Sequence, residues 1–181
     1  MEQELERLAQ LFLKFPGIGR RQATRFAYFI LTQPESYVAT LARTLVEARG
    51  QAHTCTRCLR VYEGRPGMCE ICSNPKRDQH TIVVVEKSQD IDSFAKTDYN
   101  GLFFVLGGLI PIVQKQVLKG TNIDLLVRRV AKEQGTPLTE LILAFPITPN
   151  GEHTDSVVRE ALASYASIKI SSLGRGLSTG A

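Results

Sequence analysis

The sequence lacks several features that would assign it to a broad class of proteins. No apolar run approaches the length needed to cross a bilayer, which excludes a membrane-spanning segment. The amino terminus shows no secretory signal, so we expect a reducing, cytoplasmic compartment. No internal repeat and no low-complexity tract interrupts a composition that is typical of globular proteins.

The chain also has only a small excess of positive charge, with a net charge of +4 over 181 residues. The excess lies entirely in the first third of the chain. Residues 1–60 hold nine Lys and Arg against five Asp and Glu, whereas residues 61–181 hold thirteen of each. A local positive field is how proteins hold polyanions, although an ordinary solvated surface would have the same composition. Charge alone leaves both interpretations open.

Cysteine is absent except for four residues that lie within an eighteen-residue segment. Two Cys-x-x-Cys pairs, separated by ten residues, are formed by Cys55, Cys58, Cys69 and Cys72. This spacing predicts a tetrahedral zinc site in which each pair contributes two thiolates from one tight turn. Four thiolates favour structural Zn²⁺, since a catalytic zinc keeps one position open for water. The alternative, two disulfides, is disfavoured in a reducing compartment.

The first fifty residues have the apolar period of helices. The period predicts helices over Glu2–Lys14, Arg20–Leu31 and Glu35–Arg49. Proline and glycine within residues 15–19 end the first helix and separate it from the second. In the first helix the residues at helical spacing are Leu5, Leu8, Leu11 and Phe12. The residues expected to face inward are Ala23, Phe26, Ala27 and Ile30 in the second helix, and Val38, Leu41, Ala42, Leu45 and Val46 in the third.

After Asp78 the pattern changes to strands that alternate with helices. The predicted strands are residues 81–85, 102–106, 141–145 and 168–170, and the predicted helices between them are residues 90–96, 122–134 and 155–165. This alternation predicts a parallel sheet flanked by helices. The first strand is a continuous run of β-branched residues, which predicts that both of its faces are covered.

The segment between the first two helices carries residues suited to nucleic-acid binding. A Pro-Gly-Ile-Gly turn at residues 16–19, followed by basic residues, resembles the helix-hairpin-helix motif of DNA-binding proteins. Gly17 and Gly19 let the backbone approach a phosphate, and the N–H groups that open the second helix point toward it. Arg20, Arg21 and Arg25 add charge-assisted contacts that would hold DNA without reading its sequence. A plain helical corner is the alternative.

Acidic residues follow the predicted strands of the second half. Glu86 ends the first strand, Asp90 lies in the first turn of the next helix, and Glu152 lies in a glycine-rich turn formed by residues 150–152. This order resembles the Toprim domain of topoisomerases, primases and small nucleases, whose carboxylates bind Mg²⁺ at strand ends. The Asp-x-Asp pair of that domain is missing, and no nucleophile is evident. A Mg²⁺-dependent Toprim nuclease or primase-like enzyme is therefore the alternative function.

The order of these motifs resembles one family along nearly the whole chain. A helix-hairpin-helix, a four-cysteine zinc ribbon and a Toprim-like domain are similar to the bacterial recombination mediators of the RecR family. Shorter matches lie at residues 84–86, 105–108, 149–154 and 173–177. Asn150 stands where the family usually has glutamate, and the chain stops at Ala181, where relatives continue into a further strand or arm.

The resemblance implies an α+β architecture of several parts. These parts are a helical helix-hairpin-helix region at residues 1–53, a small C4 zinc ribbon at residues 54–77, a Toprim-like α/β domain with a mainly parallel sheet at residues 78–170, and a short C-terminal tail at residues 171–181.

The resemblance also implies a non-enzymatic role. Family members form dimers and ring-like tetramers that encircle DNA, work with RecO and RecF, and help load the RecA recombinase at gaps. By this resemblance the four cysteines bind structural zinc, Arg21 and Arg25 contact DNA, and Glu86, Asp90 and Glu152 contact partner proteins. We therefore expect a homo-oligomeric, sequence-nonspecific DNA-binding mediator associated with the nucleoid.

Overall fold

The computed structural model describes residues 2–112, 120–133 and 137–174. The chain divides into two compact units, Met1–Gln51 and Ala52–Ala181. The first unit is helical, and the second combines a four-cysteine cluster with a parallel four-stranded sheet. The predicted α+β fold class is thereby confirmed. Within the described ranges no helix has both the length and the apolar character needed to cross a membrane.

The first unit consists of the helices α1 (Glu2–Phe12), α2 (Arg20–Leu31) and α3 (Glu35–Gln51). The bounds of α2 are those predicted, whereas α1 ends two residues early. Small side chains let α1 and α2 approach each other closely, because Ala9, Ala23 and Ala27 are all buried. The rings of Phe12 and Phe26 meet edge to face, with centroids 5.7 Å apart.

The apolar face of α3 is not buried as the sequence predicted. Leu45 and Val46 are 62% and 74% exposed, Ala42 is exposed, and no residue of α3 is fully buried. The inward assignment of these residues was wrong because helical periodicity identifies an apolar face but not the surface that covers it.

The second unit begins with a small ribbon around the cysteines. Strands β1 (Ala52–Thr54) and β2 (Val61–Glu63) pair antiparallel, with His53 opposite Tyr62. A short helix, α4 (Glu70–Ser73), follows. The cysteines and Tyr62 form a separate buried cluster. The ribbon expected from the cysteine spacing is therefore present.

The main sheet has the strand order β4-β3-β5-β6, and all neighbouring strands are parallel. The strands are β3 (Thr81–Val85), β4 (Leu102–Val105), β5 (Glu140–Ala144) and β6 (Lys169–Ser172). Each lies within two residues of its predicted bounds. The central strand β3 is buried from Ile82 to Val85, which confirms that both of its faces are covered.

Helices cover the two faces of this sheet. On one face α5 (Ile123–Lys132) and α6 (Pro149–Ala161) pack against alternate strand residues such as Ile82 and Phe104. On the other face a 3-10 helix (Ser88–Lys96) and Tyr99 pack against Val83, Val85 and Phe103. The predicted extension of α5 to Gln134 lies outside the described residues, as does the tail from residue 175 onward.

The residues 150–152 do not form the turn that the sequence predicted. They lie in the first turn of α6, which begins six residues earlier than expected. Thr148 caps the helix, since its Oγ1 accepts the N–H of Gly151 at 3.1 Å, and Pro149 occupies the first helical position. The Asn-Gly-Glu sequence suggested a turn, but the preceding Thr-Pro pair specifies a helix start.

Candidate functional site

The bend between α1 and α2 leaves the start of α2 open. Gly17 has a φ of +76°, which favours glycine, and the Ile18 N–H closes the bend by donating to the Phe15 carbonyl at 3.2 Å. Gly19 precedes α2 and supplies no side-chain cap. A side chain added at either glycine would meet nothing within 4 Å. The uncapped N–H groups of the first turn are therefore accessible from solvent past these two glycines.

Three exposed arginines surround this helix start. Arg20, Arg21 and Arg25 are exposed, and Arg25 donates only a long 3.4 Å hydrogen bond to Gln22. None of the three has a carboxylate within 4 Å among the side chains of residues 3–112, 120–133 and 137–174. Arg21 and Arg25 are one turn apart on the same side of α2. The positive end of the helix dipole and these cations therefore act in the same direction.

Two other arginines of the same unit are paired with acids. Arg7 lies 3.8 Å from Glu4, and Arg43 lies 3.9 Å from Glu47. These pairs are exposed and thus weak, but they partly neutralise the cation. Arg20, Arg21 and Arg25 lack such partners among the described side chains, as does Arg49 in the last turn of α3, but only the first three lie together beside a helix start.

The structure brings the four predicted metal ligands together. The sulfur atoms of Cys55, Cys58, Cys69 and Cys72 all lie within 4.8 Å of one another, and all four residues are buried. The sulfurs of Cys58 and Cys69 are 3.6 Å apart. In a tetrahedral site with Zn–S bonds of about 2.3 Å, neighbouring sulfurs are about 3.8 Å apart. The cluster therefore has the size and ligand chemistry of a metal site.

The electrostatics of this cluster also suit a cation. Hydrogen bonding to Cys72 and burial raise the pKa of Cys58, and burial raises the pKa of Cys69 to about 11. Burial alone would raise the pKa of Cys55 too, but backbone N–H groups, including that of Cys69 at 3.3 Å, lower it to about 6. Four buried thiols cannot all ionise unless a positive ion compensates their mutual repulsion.

The cysteine ribbon is fastened to the edge of the main sheet. The Cys58 carbonyl accepts the N–H of Val105 in β4 at 2.8 Å, and Leu59, at a φ of 63°, packs against the cores on both faces of the sheet. Arg129 of α5 is only 7% exposed and donates from Nη1 to the carbonyls of Arg57 (3.2 Å) and Phe103 (2.9 Å). The position of the ribbon is thus fixed by both β4 and α5.

Sequence reasoning missed Arg129. A possible signal is its place among the buried positions of an amphipathic helix, next to Val130, with Glu133 one turn further on. The Arg129 Nε lies 3.2 Å from the Glu133 Oε1. A cation at a core-facing position with a carboxylate four residues later is a pattern that can be recognised before the structure is known.

The three acidic residues predicted near the sheet have separate local contacts. Glu86, directly after β3, pairs with Lys87 at 2.8 Å, and the Asp90 Oδ2 accepts the Lys87 N–H at 2.7 Å. Glu152 is exposed in the first turn of α6. Within the described ranges, the cysteine cluster is the one group of three or more potential ligands close enough to share an ion. The structure therefore does not gather these carboxylates around one metal position.

Comparisons with known proteins match both units. A family model described as RecR, helix-hairpin-helix matches residues 5–49, and a Toprim domain model matches residues 80–173. The protein named Recombination protein RecR of Lactobacillus helveticus is 35% identical over 174 residues, covering 96% of this chain and 85% of its own. The chain belongs to the RecR family. The RecR proteins of Levilactobacillus brevis and Porphyromonas gingivalis are each 36% identical and are covered over 87% and 83% of their length.

The cysteine cluster lies between the ranges that the two family models match. Asn150 has a local contact, since its Oδ1 accepts the Ile112 N–H at 3.4 Å. Of the glycine-rich segment at residues 173–177, residues 175–177 lie outside the described residues.

Proposed function

We propose that this RecR-family chain is a non-catalytic DNA-binding mediator of recombinational repair. It acts with RecO- and RecF-type proteins to help load a RecA-type recombinase at gaps. The observation that carries this proposal is the open start of α2, where exposed glycines lie beside Arg20, Arg21 and Arg25, which have no carboxylate partner among the described side chains. Backbone N–H groups and guanidinium groups of this kind bind phosphates of any sequence.

The proposed DNA contact is tested with labelled gapped DNA and purified protein. Each phosphate contact makes the slope of log affinity against log salt concentration more negative by about 0.9. Arg21→Ala with Arg25→Ala is therefore expected to make this slope shallower by about 2 and to weaken binding at low salt. The control, Arg7→Ala with Arg43→Ala, removes the same charge from arginines that are paired with acids. Equal affinity of the two double variants would contradict the assignment of the bend.

The same experiment with Mg²⁺ and nucleoside triphosphates separates the mediator from a Toprim enzyme. A mediator lowers the electrophoretic mobility of the gapped DNA by binding it and leaves both strands intact. A Toprim nuclease would cleave the DNA in a reaction that EDTA stops, and a primase-like enzyme would extend it with nucleotides. Either product would overturn the non-catalytic role.

We also propose that the cysteine cluster binds structural Zn²⁺. The support is the set of four buried thiols whose sulfur atoms all lie within 4.8 Å of one another, because four thiolates complete the coordination of a structural zinc. Native mass spectrometry is expected to find about one zinc per chain, and Cys58→Ser with Cys72→Ser should reduce it to about zero. Ser73→Ala, next to the cluster, is the control and should retain the metal. Full zinc loading of the cysteine variant would contradict the proposal.

Partner contact is proposed for Glu86, Asp90 and Glu152. They lie in the same matched Toprim range and follow the carboxyl ends of β3 and β5, where ligands of parallel sheets bind. Neutralising all three to the corresponding amides should reduce capture of purified RecO- and RecF-type proteins. An equal change at the exposed acids Glu63, Asp98 and Glu160 should not. If both triple variants capture the partner proteins equally well, the proposed role of Glu86, Asp90 and Glu152 is contradicted.

A further inference from the structure

A groove of about 390 Å³ lies inside the second unit, between the cysteine ribbon, β4 and α5. Its apolar wall is formed by Leu59, Met68, Phe104 and Leu125. Met68 and Leu125 are 52% and 43% exposed. Two large apolar side chains are therefore open to solvent at the mouth of one concave surface, which is typical of a binding site.

The rim of this groove is strongly basic. One side of α5 lines the groove, as the spacing of its lining residues shows. These residues are Leu125, Arg128, Arg129 and Lys132. Arg57 of the ribbon adds a further cation. The exposed side chains of Arg128 and Lys132 have no carboxylate within 4 Å in the described part of the chain. Two exposed positive charges thus flank the apolar mouth.

The deeper cations are only partly neutralised. Arg57 and Arg129 share one oxygen, the Oε1 of Glu133, at 3.1 and 3.2 Å, and Glu133 is the one acidic residue that lines the groove. The Nη2 of Arg129 is buried and has no hydrogen-bond partner among the described residues. The groove therefore carries more positive charge and more donors than its own residues compensate.

We propose that this groove binds an acidic peptide segment of a partner protein, in which an apolar side chain lies next to carboxylates. The apolar side chain packs against Met68 and Leu125, because methionine adapts to varied shapes. The carboxylates pair with Arg128 and Lys132. The site is distinct in sequence from the arginines of α2 and from the acids that follow β3 and β5.

The lining favours a peptide over nucleic acid. Binding of single strands relies on aromatic rings that stack on bases. The one ring that lines this groove, Phe104, is 1% exposed and is already covered. The accessible apolar surface is aliphatic, which fits the side chain of leucine or phenylalanine better than the plane of a base.

The test uses the full chain and a fluorescein-labelled peptide of four aspartates followed by leucine and phenylalanine, with a free carboxyl terminus. Anisotropy is measured at about 50 mM salt, where charge complementarity is strong. Arg128→Glu with Lys132→Glu, and separately Leu125→Ser, are each expected to weaken binding by about tenfold or more. Lys76→Glu with Lys96→Glu makes the same charge change at exposed lysines outside the groove and should leave affinity within about twofold.

A second peptide, with serines in place of leucine and phenylalanine, tests the apolar part and should bind about tenfold more weakly. Thermal melts verify that each variant is folded. Absence of peptide binding, equal affinity for both peptides, or equal affinity of groove and control variants would each overturn the proposal. The proposal would also be overturned, in favour of a nucleic-acid surface, by a different pair of results. In that case no protein binds the peptide, and the Arg128→Glu/Lys132→Glu variant alone binds an oligothymidine strand more weakly than the parent chain does.

Discussion

Gly151 occupies a position in α6 where no side chain fits. A Cβ at this residue would overlap the Pro146 carbonyl oxygen and would approach the Thr148 Oγ1 to 3.3 Å. The Thr148 oxygen already accepts the Gly151 N–H and caps the helix. The glycine is therefore required by close packing of the β5–α6 connection, and its φ is not in the left-handed region.

Replacing this glycine is expected to destabilise the chain. Gly151→Ala should lower the free energy of unfolding by about 1–3 kcal/mol, because the backbone of residue 146 or the first turn of α6 must move. Urea denaturation measures the change. Gly50→Ala is the matched control: a Cβ there meets nothing within 4 Å inside α3, so alanine should stabilise by about 0.5–1 kcal/mol. A stabilising Gly151→Ala would refute the packing argument.

Individual residues were predictable where their chemistry is local. The cysteine spacing identified all four members of the cluster, since each pair is held by one tight turn. Arg129 was not predictable in the same way. Its partners include the carbonyls of Arg57 and Phe103, which lie 72 and 26 positions away in the sequence. No local pattern specifies contacts at that separation.

Elements were predicted best where the apolar period is unbroken. The bounds of α2 and β3 match the prediction because twelve residues with a helical stripe and five consecutive apolar or β-branched residues leave little ambiguity. The start of α6 was missed because a turn-like sequence lies inside the helix. The exposure of α3 was missed because burial depends on partners that a single chain does not specify.

The pairing of β5 with β6 includes a carboxylate whose protonation should affect stability. Glu140 lies opposite Lys169, and its Oε1 accepts from Ser171 Oγ at 2.6 Å and lies 3.2 Å from Lys169 Nζ. The hydrogen bond from Ser171, followed by that from Lys169, lowers the pKa of Glu140 below its ordinary value of 4.5. Its stabilising contribution is therefore present above pH 4.5 and is lost as the pH falls through the lowered pKa.

Glu140→Gln tests this dependence. At pH 7 the variant is expected to unfold with a free energy about 0.5–1 kcal/mol below that of the parent chain. The difference should shrink steadily below pH 4.5, because the parent carboxylate then becomes protonated as well. Urea midpoints at a series of pH values give the difference directly, with Glu160→Gln on the exposed side of α6 as the control. A difference that is independent of pH would exclude the charged pair as its cause.

At the scale of the whole molecule, the exposed apolar face of α3 is consistent with the homo-oligomer expected from the sequence. Leu45 and Val46 are more than half exposed and adjacent, and Ala42 is exposed one turn earlier. Contiguous apolar surface on a helix is typical of an interface. A second copy of the chain that presents the same face would cover it in the symmetric way that most homodimers use.

Native mass measurement tests the oligomer. The parent chain is expected to be a dimer or a larger assembly, and Leu45→Glu with Val46→Glu should shift it toward the monomer by placing charges in the contact. Thr40→Glu with Thr44→Glu adds the same charge at polar, exposed positions of α3 and should leave the mass unchanged. A monomeric parent chain, or an assembly that survives the first pair of changes, would contradict an interface on α3.

The bond from Val105 to the Cys58 carbonyl has a consequence for solubility. Strand β4 is the outermost strand on its side of the sheet, and the ribbon occupies a donor that would otherwise be available to a foreign strand. If the cysteine cluster holds Zn²⁺ as proposed, removing the metal would loosen the ribbon and leave this edge strand open to pairing with a strand of another molecule. Chelated samples should therefore precipitate on standing, whereas a metal that only tuned binding would leave the solution clear.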